Sequence, residues 1–373
     1  MATQSAVTSL AFHPTLPLLL SSGQSATVYL HHIKQAAEDS NPLMLSVHVK
    51  NTPLHTTVFH PDPADGRIFL GGRRRFFHVW DPAKGIVEKV ARVYGHQAEQ
   101  KSMERFAISP SGAHLALVGS TRANSGIINI LDGSTLQWVC QLRVESHGGV
   151  SDFAWWPDSS GLSAAGKDGV VTEWSLVERR TVGRWTDEGA VGTTTLALGG
   201  SLHADGARGF PAAGAQAQLG GHRWVAIGSS AGIVNVYDRR QWMAQTAHRD
   251  TSTGNSLDDV SVSIPASPKP VRTLDQLTTP VSHLHFSPDG QLLVMATRWK
   301  KGGLRLVHLP SCTVYRNWPT SNTPLGRISS VAWSEMHLAE KDGMARSPSA
   351  SEPSLLLAVG SENGKIRLWQ LVA

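Results

Sequence analysis

Five times along the chain an alternating run ends on an aromatic or aliphatic residue two positions before a proline: 7–12 before Pro14, 54–59 before Pro61, 103–108 before Pro110, 150–155 before Pro157 and 281–286 before Pro288. The first four prolines stand 47, 49 and 47 residues apart. A recurrence of that length marks a repeat architecture in which each unit is one supersecondary motif. After each anchor come a turn, an apolar run rich in small residues and a second turn, with Ser111-Gly112 and Asp289-Gly290 giving the first turn a clear glycine signal. A third alternating run closes the unit at seven places, 27–30, 77–80, 127–131, 170–174, 233–237, 304–308 and 366–369. Before three of them Asp168-Gly169, Asn363-Gly364 and, more weakly, Ala231-Gly232 offer the positive φ angles of a tight hairpin. Fourth strands are predicted at 86–90, 136–142, 180–185 and 312–318.

Four short antiparallel strands repeated at this period predict an all-β, seven-bladed β-propeller. A single domain over 1–373 is expected, with blades near 7–50, 54–100, 103–146, 150–188, 191–242, 272–320 and 325–373. Blades of about 40–45 residues use about 300, so the remainder falls in three loop insertions without strand period, expected to be disordered. These are 199–222, rich in Gly and Ala; 243–269, polar and rich in Ser and Thr; and 336–353. Composition agrees: 35 Gly and 20 Pro with 17% charged residues suit a turn-rich β protein and exclude a coiled coil. The formal net charge of +5 suits a phosphate-bearing partner without requiring one. Two cysteines, Cys140 and Cys312, form no metal or redox spacing and fit a reducing compartment. No secretory signal opens the chain and no apolar run reaches membrane-span length, so an intracellular, dissolved protein is expected.

Enzyme-like motifs are present without their context. Residues 161–167 read G-x-x-x-x-G-K, but Asp168 follows where a phosphate loop needs a hydroxyl, and strands rather than a helix flank it. Residues 228–232 read G-x-S-x-G, again between strands, which denies Ser230 the strand-to-helix elbow of a nucleophile. The histidines, His31-His32 included, have no metal-ligand spacing. Trp80, Trp174 and Trp369 at alternating positions are expected in the core rather than on a base-stacking surface. No catalytic, cofactor or metal residue is therefore assigned.

The segment 304–318, LRLVHLPSCTVYRNW, and the turn 184–189, RWTDEG, resemble the sixth blade and the post-fourth-blade turn of the U3 small nucleolar RNA-associated protein 18 family of WD40-repeat proteins. Residues 228–237, GSSAGIVNVY, and 72–81, GRRRFFHVWD, are similar to its fifth and second blades, and the likeness covers nearly the whole chain outside the insertions. The resemblance implies a non-catalytic scaffold of the UTP-B subassembly of the small-subunit processome, in the nucleus and nucleolus. It implies work in early pre-rRNA processing and small ribosomal subunit assembly, beside other UTP-B propeller proteins, the U3 small nucleolar RNP and pre-rRNA. It brings no membrane and no small-molecule substrate. The family's N-terminal extension, with its motif for the RNA helicase of the exosome, is not in this chain, so exosome recruitment is not assigned. The competing reading is a general WD40 adaptor that presents a peptide or substrate to another enzyme.

In a propeller the turns between second and third strands gather on one face. They carry Arg73, Arg74, Arg75, Arg122, Lys167, Arg298, Lys300, Lys301 and Lys365 against Asp168 and Glu362. Three readings are open for this basic rim: RNA phosphate contacts, an acidic protein segment, or solvated hairpin tips. Arg73 to Arg75 is its sharpest part, because adjacent guanidinium groups repel one another and favour an anion. The first inner strand starts near Val7 and the chain ends just past the third strand of the last blade. Blade seven is accordingly expected to hold three strands, its edge over 366–371 unpaired or covered from outside, with an N-terminal extension missing.

Overall fold

The computed structural model describes the chain apart from residues 35–40, 92, 94–99, 121–124, 190–191, 202–219, 243–263, 337–353 and 372–373. The described strands form seven antiparallel sheets. Blade one holds β1 (Val7–Phe12), β2 (Leu18–Gly23), β3 (Thr27–His32) and β4 (Leu43–His48); blade two β5 (Leu54–Phe59), β6 (Ile68–Gly72), β7 (Phe77–Asp81) and β8 (Ile86–Val90). Blade three holds β9 (Phe106–Ile108), β10 (His114–Val118), β11 (Ile127–Asp132) and β12 (Trp138–Arg143); blade four β13 (Val150–Trp155), β14 (Gly161–Gly166), β15 (Val170–Ser175) and β16 (Arg180–Thr186). Blade five holds β17 (Thr193–Ser201), β18 (His222–Ser229), β19 (Val234–Asp238) and β20 (Arg272–Leu274); blade six β21 (His283–Phe286), β22 (Leu292–Ala296), β23 (Leu304–His308) and β24 (Thr313–Val314). Blade seven holds β25 (Ile328–Met336), β26 (Ser354–Ser361) and β27 (Ile366–Leu371). The fold is the seven-bladed β-propeller that the repeat predicts.

Contacts divide the blades into two compact units. One comprises Met1–Ala91, Ser102–Arg105 and Pro324–Ala373, which carry blades one, two and seven; the other comprises Arg92–Lys101 and Phe106–Thr323, which carry blades three to six. Within each unit the position of a strand in its blade sets its burial. The second strands β6, β14 and β26 are buried at every residue, hence their small-residue, non-alternating sequences. The outer β4 and β8 are almost wholly exposed.

The core lies between neighbouring blades. In the first unit Val7, Leu10 and Leu19 pack on Leu356, Ala358 and Ile366, and Leu20 and Val28 pack on Leu54, Leu70 and Trp80. In the second, Ile130 and Leu142 meet Val150 and Leu162; Val171 and Trp185 meet Leu196 and Tyr237; Val234 and Leu274 meet Val281 and Met295. Bulges at the start of β1 and β13 each insert one residue, Thr8 and Ser151. Their hydroxyls donate to the next blade, Thr8 Oγ1 to the Leu54 carbonyl at 2.8 Å and Ser151 Oγ to the Thr193 carbonyl at 2.5 Å.

Several local expectations shift. Blade five does not end near 242: β20 pairs with β19, so its fourth strand comes from beyond the insertion. Insertion boundaries shrink too. Gly199–Ser201 continue β17, Met336 ends β25, and residues 264–269 are ordered against blade four, where the Thr186 N–H donates to the Ala266 carbonyl at 2.9 Å. Residues 202–219, 243–263 and 337–353 lie outside the described residues. The fourth strand expected over 312–318 shortens to β24, and the first strand expected over 103–108 to β9. Trp80 and Trp174 are buried and Trp369 half-buried.

Blade seven holds three strands, but the start of its edge is not bare. Ala2 bridges Lys365 in antiparallel sense, the Thr3 N–H donates to the Gly364 carbonyl at 2.8 Å, and the Ile366 N–H donates to the Met1 carbonyl at 2.9 Å.

Candidate functional site

In the first unit, Gly72 ends β6 where a β-carbon would stand 2.1 Å from the Pro53 carbonyl oxygen, so only glycine lets the chain turn here. Arg73, Arg74 and Arg75 follow at the exposed tip. Arg73 pairs with Glu104, Nε to Oε2 at 2.9 Å, yet its side chain stays 80% exposed. Arg74 Nε donates to the Asn51 carbonyl at 3.0 Å, and Arg75 is exposed. Two of the three guanidinium groups are thus held by neighbouring chain, which offsets part of their mutual repulsion. Lys365 is exposed in the turn from β26 to β27, where Gly364 adopts φ +77°. Its neighbour Glu362 lies 3.7 Å from Arg327, a further cation that the turns alone did not reveal.

In the second unit, Lys167 is exposed at the turn from β14 to β15. Asp168 does not face an incoming anion freely: its carboxylate accepts from Ser146 Oγ at 2.6 Å and from the His147 N–H at 2.8 Å. Burial pushes this carboxyl up, but these bonds and one from the Val170 N–H outweigh it and hold the carboxyl below the usual carboxylate range. Residues 161–166 of the phosphate-loop look-alike are the buried strand β14, and a tight turn with Gly169 at φ +86° follows Lys167. The turn from β22 to β23 presents Arg298, Trp299, Lys300 and Lys301, all exposed. The turn's three cations are legible as a charge cluster in the sequence, whereas the exposure of Trp299 between them is a property of the fold. Arg122 lies outside the described residues.

The connections from one blade to the next reach the same ends of the strands and add carboxylates that the turns do not show. Glu104 meets Arg73, and Glu145 pairs with Arg184 at 3.0 Å. Between the outer ends of blades three and four lies a cleft of about 640 Å³, lined by Gly126, Arg143, Glu145, His147 and Arg184 among others. Its lining mixes both charges. Among the described residues no group of three His, Cys, Asp or Glu side chains is placed to hold a metal ion.

A family model for the WD domain, G-beta repeat, matches residues 2–32 and 138–175. The chain is similar to U3 small nucleolar RNA-associated protein 18 of Saccharomyces cerevisiae, 37% identical over 98% of this chain and 58% of that protein. It is also similar to the protein named Probable U3 small nucleolar RNA-associated protein 18 in Schizosaccharomyces pombe, 35% identical over 98% of this chain and 57% of that one. The U3 small nucleolar RNA-associated protein 18 homolog of Homo sapiens is 25% identical over 98% of the chain. The chain thus spans less than three fifths of the two yeast relatives.

Proposed function

Because the chain is similar along its propeller to proteins named U3 small nucleolar RNA-associated protein 18, we propose that it is a non-catalytic scaffold of the U3 small nucleolar ribonucleoprotein. In this reading it serves early pre-rRNA processing and small ribosomal subunit assembly in the nucleolus. Its partners are the other propeller proteins of the UTP-B subassembly, and its exposed cations touch RNA phosphates. The observation that carries the reading is identity of 37% and 35% to two proteins of that name across 98% of the chain. The exposed cations of the second-to-third-strand turns give it a chemical means, since phosphate contacts supply most of the affinity for a nucleic acid backbone.

The test is charge reversal at Arg73, Arg74 and Arg75 together. These exposed tips bury little, so the melting temperature should hold within about 2 °C. Sedimentation of the variant with U3-containing particles should fall. Full co-sedimentation would count against the rim as a contact surface, and absence of the unchanged chain from those particles would count against the scaffold itself.

A further inference from the structure

The chain has twelve tryptophans, and Trp299 alone of them is exposed, at 63%. It stands at the tip of the β22–β23 turn, between Arg298 on one side and Lys300 and Lys301 on the other. The turn is firmly built. The Thr297 N–H donates to the Gly303 carbonyl at 2.8 Å, the Gly303 N–H to the Lys300 carbonyl at 3.2 Å, and Gly302 takes φ +67°. The Arg298 N–H is tied to Ser282 Oγ at 2.9 Å, and Thr297 Oγ1 lies 2.8 Å from Thr279 Oγ1 on the preceding connection. An indole held outward on so fixed a hairpin serves neither core nor turn.

Its surroundings are cationic. Unlike Arg73 and Arg184, none of Arg298, Lys300 and Lys301 is ion-paired among the described residues. The Arg298 guanidinium carbon lies over the Trp299 ring, 5.8 Å from its centroid, a cation–π arrangement on one face of the indole. A rigid aromatic plane flanked by unpaired cations is the arrangement that takes an unpaired base on the ring and its phosphates on the cations. A base-paired duplex hides its base faces from such a plane. An acidic peptide would use the cations and leave the indole without a purpose.

We propose that Trp299 is a base-stacking platform for single-stranded RNA, with Arg298, Lys300 and Lys301 holding the flanking phosphates. This rests on the reading above that the rim meets RNA, and it adds a residue, a strandedness and a mode of contact.

The test is fluorescence anisotropy of the whole chain with a labelled twelve-nucleotide oligouridylate and with an RNA duplex of equal length. Trp299→Ala should weaken binding to the single strand by roughly 5- to 150-fold, the range for one stacked base, with the slope of log affinity against log salt unchanged. Trp299→Phe should restore most of the loss. Lys300→Ala with Lys301→Ala should instead flatten that slope by about 1.4, the value for two phosphates on a single strand. Thermal melts check that each variant is folded. Binding of Trp299→Ala within twofold of the unchanged chain overturns the platform while leaving the rim as an RNA surface. Equal affinity for duplex and single strand overturns it too, as does displacement of the oligonucleotide by an oligoglutamate peptide at similar concentration. If the unchanged chain binds neither RNA, the platform falls, and the scaffold reading stands or falls separately on sedimentation.

Discussion

Arg239 and Glu173 carry opposite charges at zero exposure, Nη2 to Oε1 at 2.6 Å. Losing water at that depth is costly unless hydrogen bonds replace it, and Arg239 Nη2 also donates to Ser163 Oγ at 3.1 Å. Trp185 Nε1 donates to Glu173 Oε1 at 3.1 Å, Ser163 Oγ donates to Oε2, and Trp156 Nε1 donates to Ser163 Oγ at 3.0 Å. Glu173→Gln keeps an acceptor for Trp185, removes the charge and sets an amide NH2 where Oε2 accepts from Ser163. It should cost about 3–5 kcal/mol in urea unfolding by stranding the guanidinium, and Arg239→Met added to it should recover most of that loss. Additive costs would show that the pair is not coupled. His31 is the opposite case, a buried ring with neither nitrogen hydrogen-bonded among the described residues. Burial, helped by the N-terminal charge, holds its pKa down at about 4 against an ordinary 6.5. Between these values the unfolded chain binds the proton and the folded chain does not, so stability falls as pH drops from about 6.5 to about 4, by up to about 3 kcal/mol. His222, also held near 4 by burial, acts in the same window. Stability against pH should therefore decline over that interval, and less steeply in His31→Leu; parallel curves would remove His31 as a cause.

At the level of elements, what the sequence revealed was what depends on neighbours in the chain. Alternation and turn residues located β1, β5, β8 and β13 to the residue, because each lies within one hairpin of its turn. The fourth strand of blade five escaped, since β20 is three residues long and separated from its partner β19 by a long insertion. The end of that insertion is equally hidden from the local pattern. Ile264 sits in a polar context, yet it packs with Trp185 and Trp242, and a β-carbon on Gly183 would stand 2.1 Å from its Cδ1. Deleting 243–263 should leave the melting temperature nearly unchanged, as loop length costs only logarithmically. Extending the deletion to 269 should lower it by several degrees, since it strips the cover from Trp185. Equal melts for both deletions would show that Ile264 contributes nothing.

At the level of the whole molecule, the number of blades was legible and the balance of charge at the turns was not. Cations in turns are a local property of the chain, whereas Glu104 and Glu145 reach Arg73 and Arg184 only through folding. Blade seven shows the same division between what is local and what is not. Its three strands were expected from the chain's own order, but the pairing of Ala2 with Lys365 joins residues at opposite ends of the sequence. That bridge fixes a register. Residues placed ahead of Met1 in continuous extension would run antiparallel beside Arg367 to Leu371, and about five would complete a fourth strand on β27. An appended alternating Thr/Val segment of about six residues should therefore add antiparallel hydrogen bonds along the outer edge of β27 and curb edge-to-edge association. The expected gain is about 2–4 °C in melting temperature for each kcal/mol of new pairing. A second segment with prolines at the positions whose N–H would face β27 should give no gain, because proline cannot donate to the ladder. If both segments raise the melting temperature equally, the effect is not strand pairing and the register read from Ala2 is irrelevant to it.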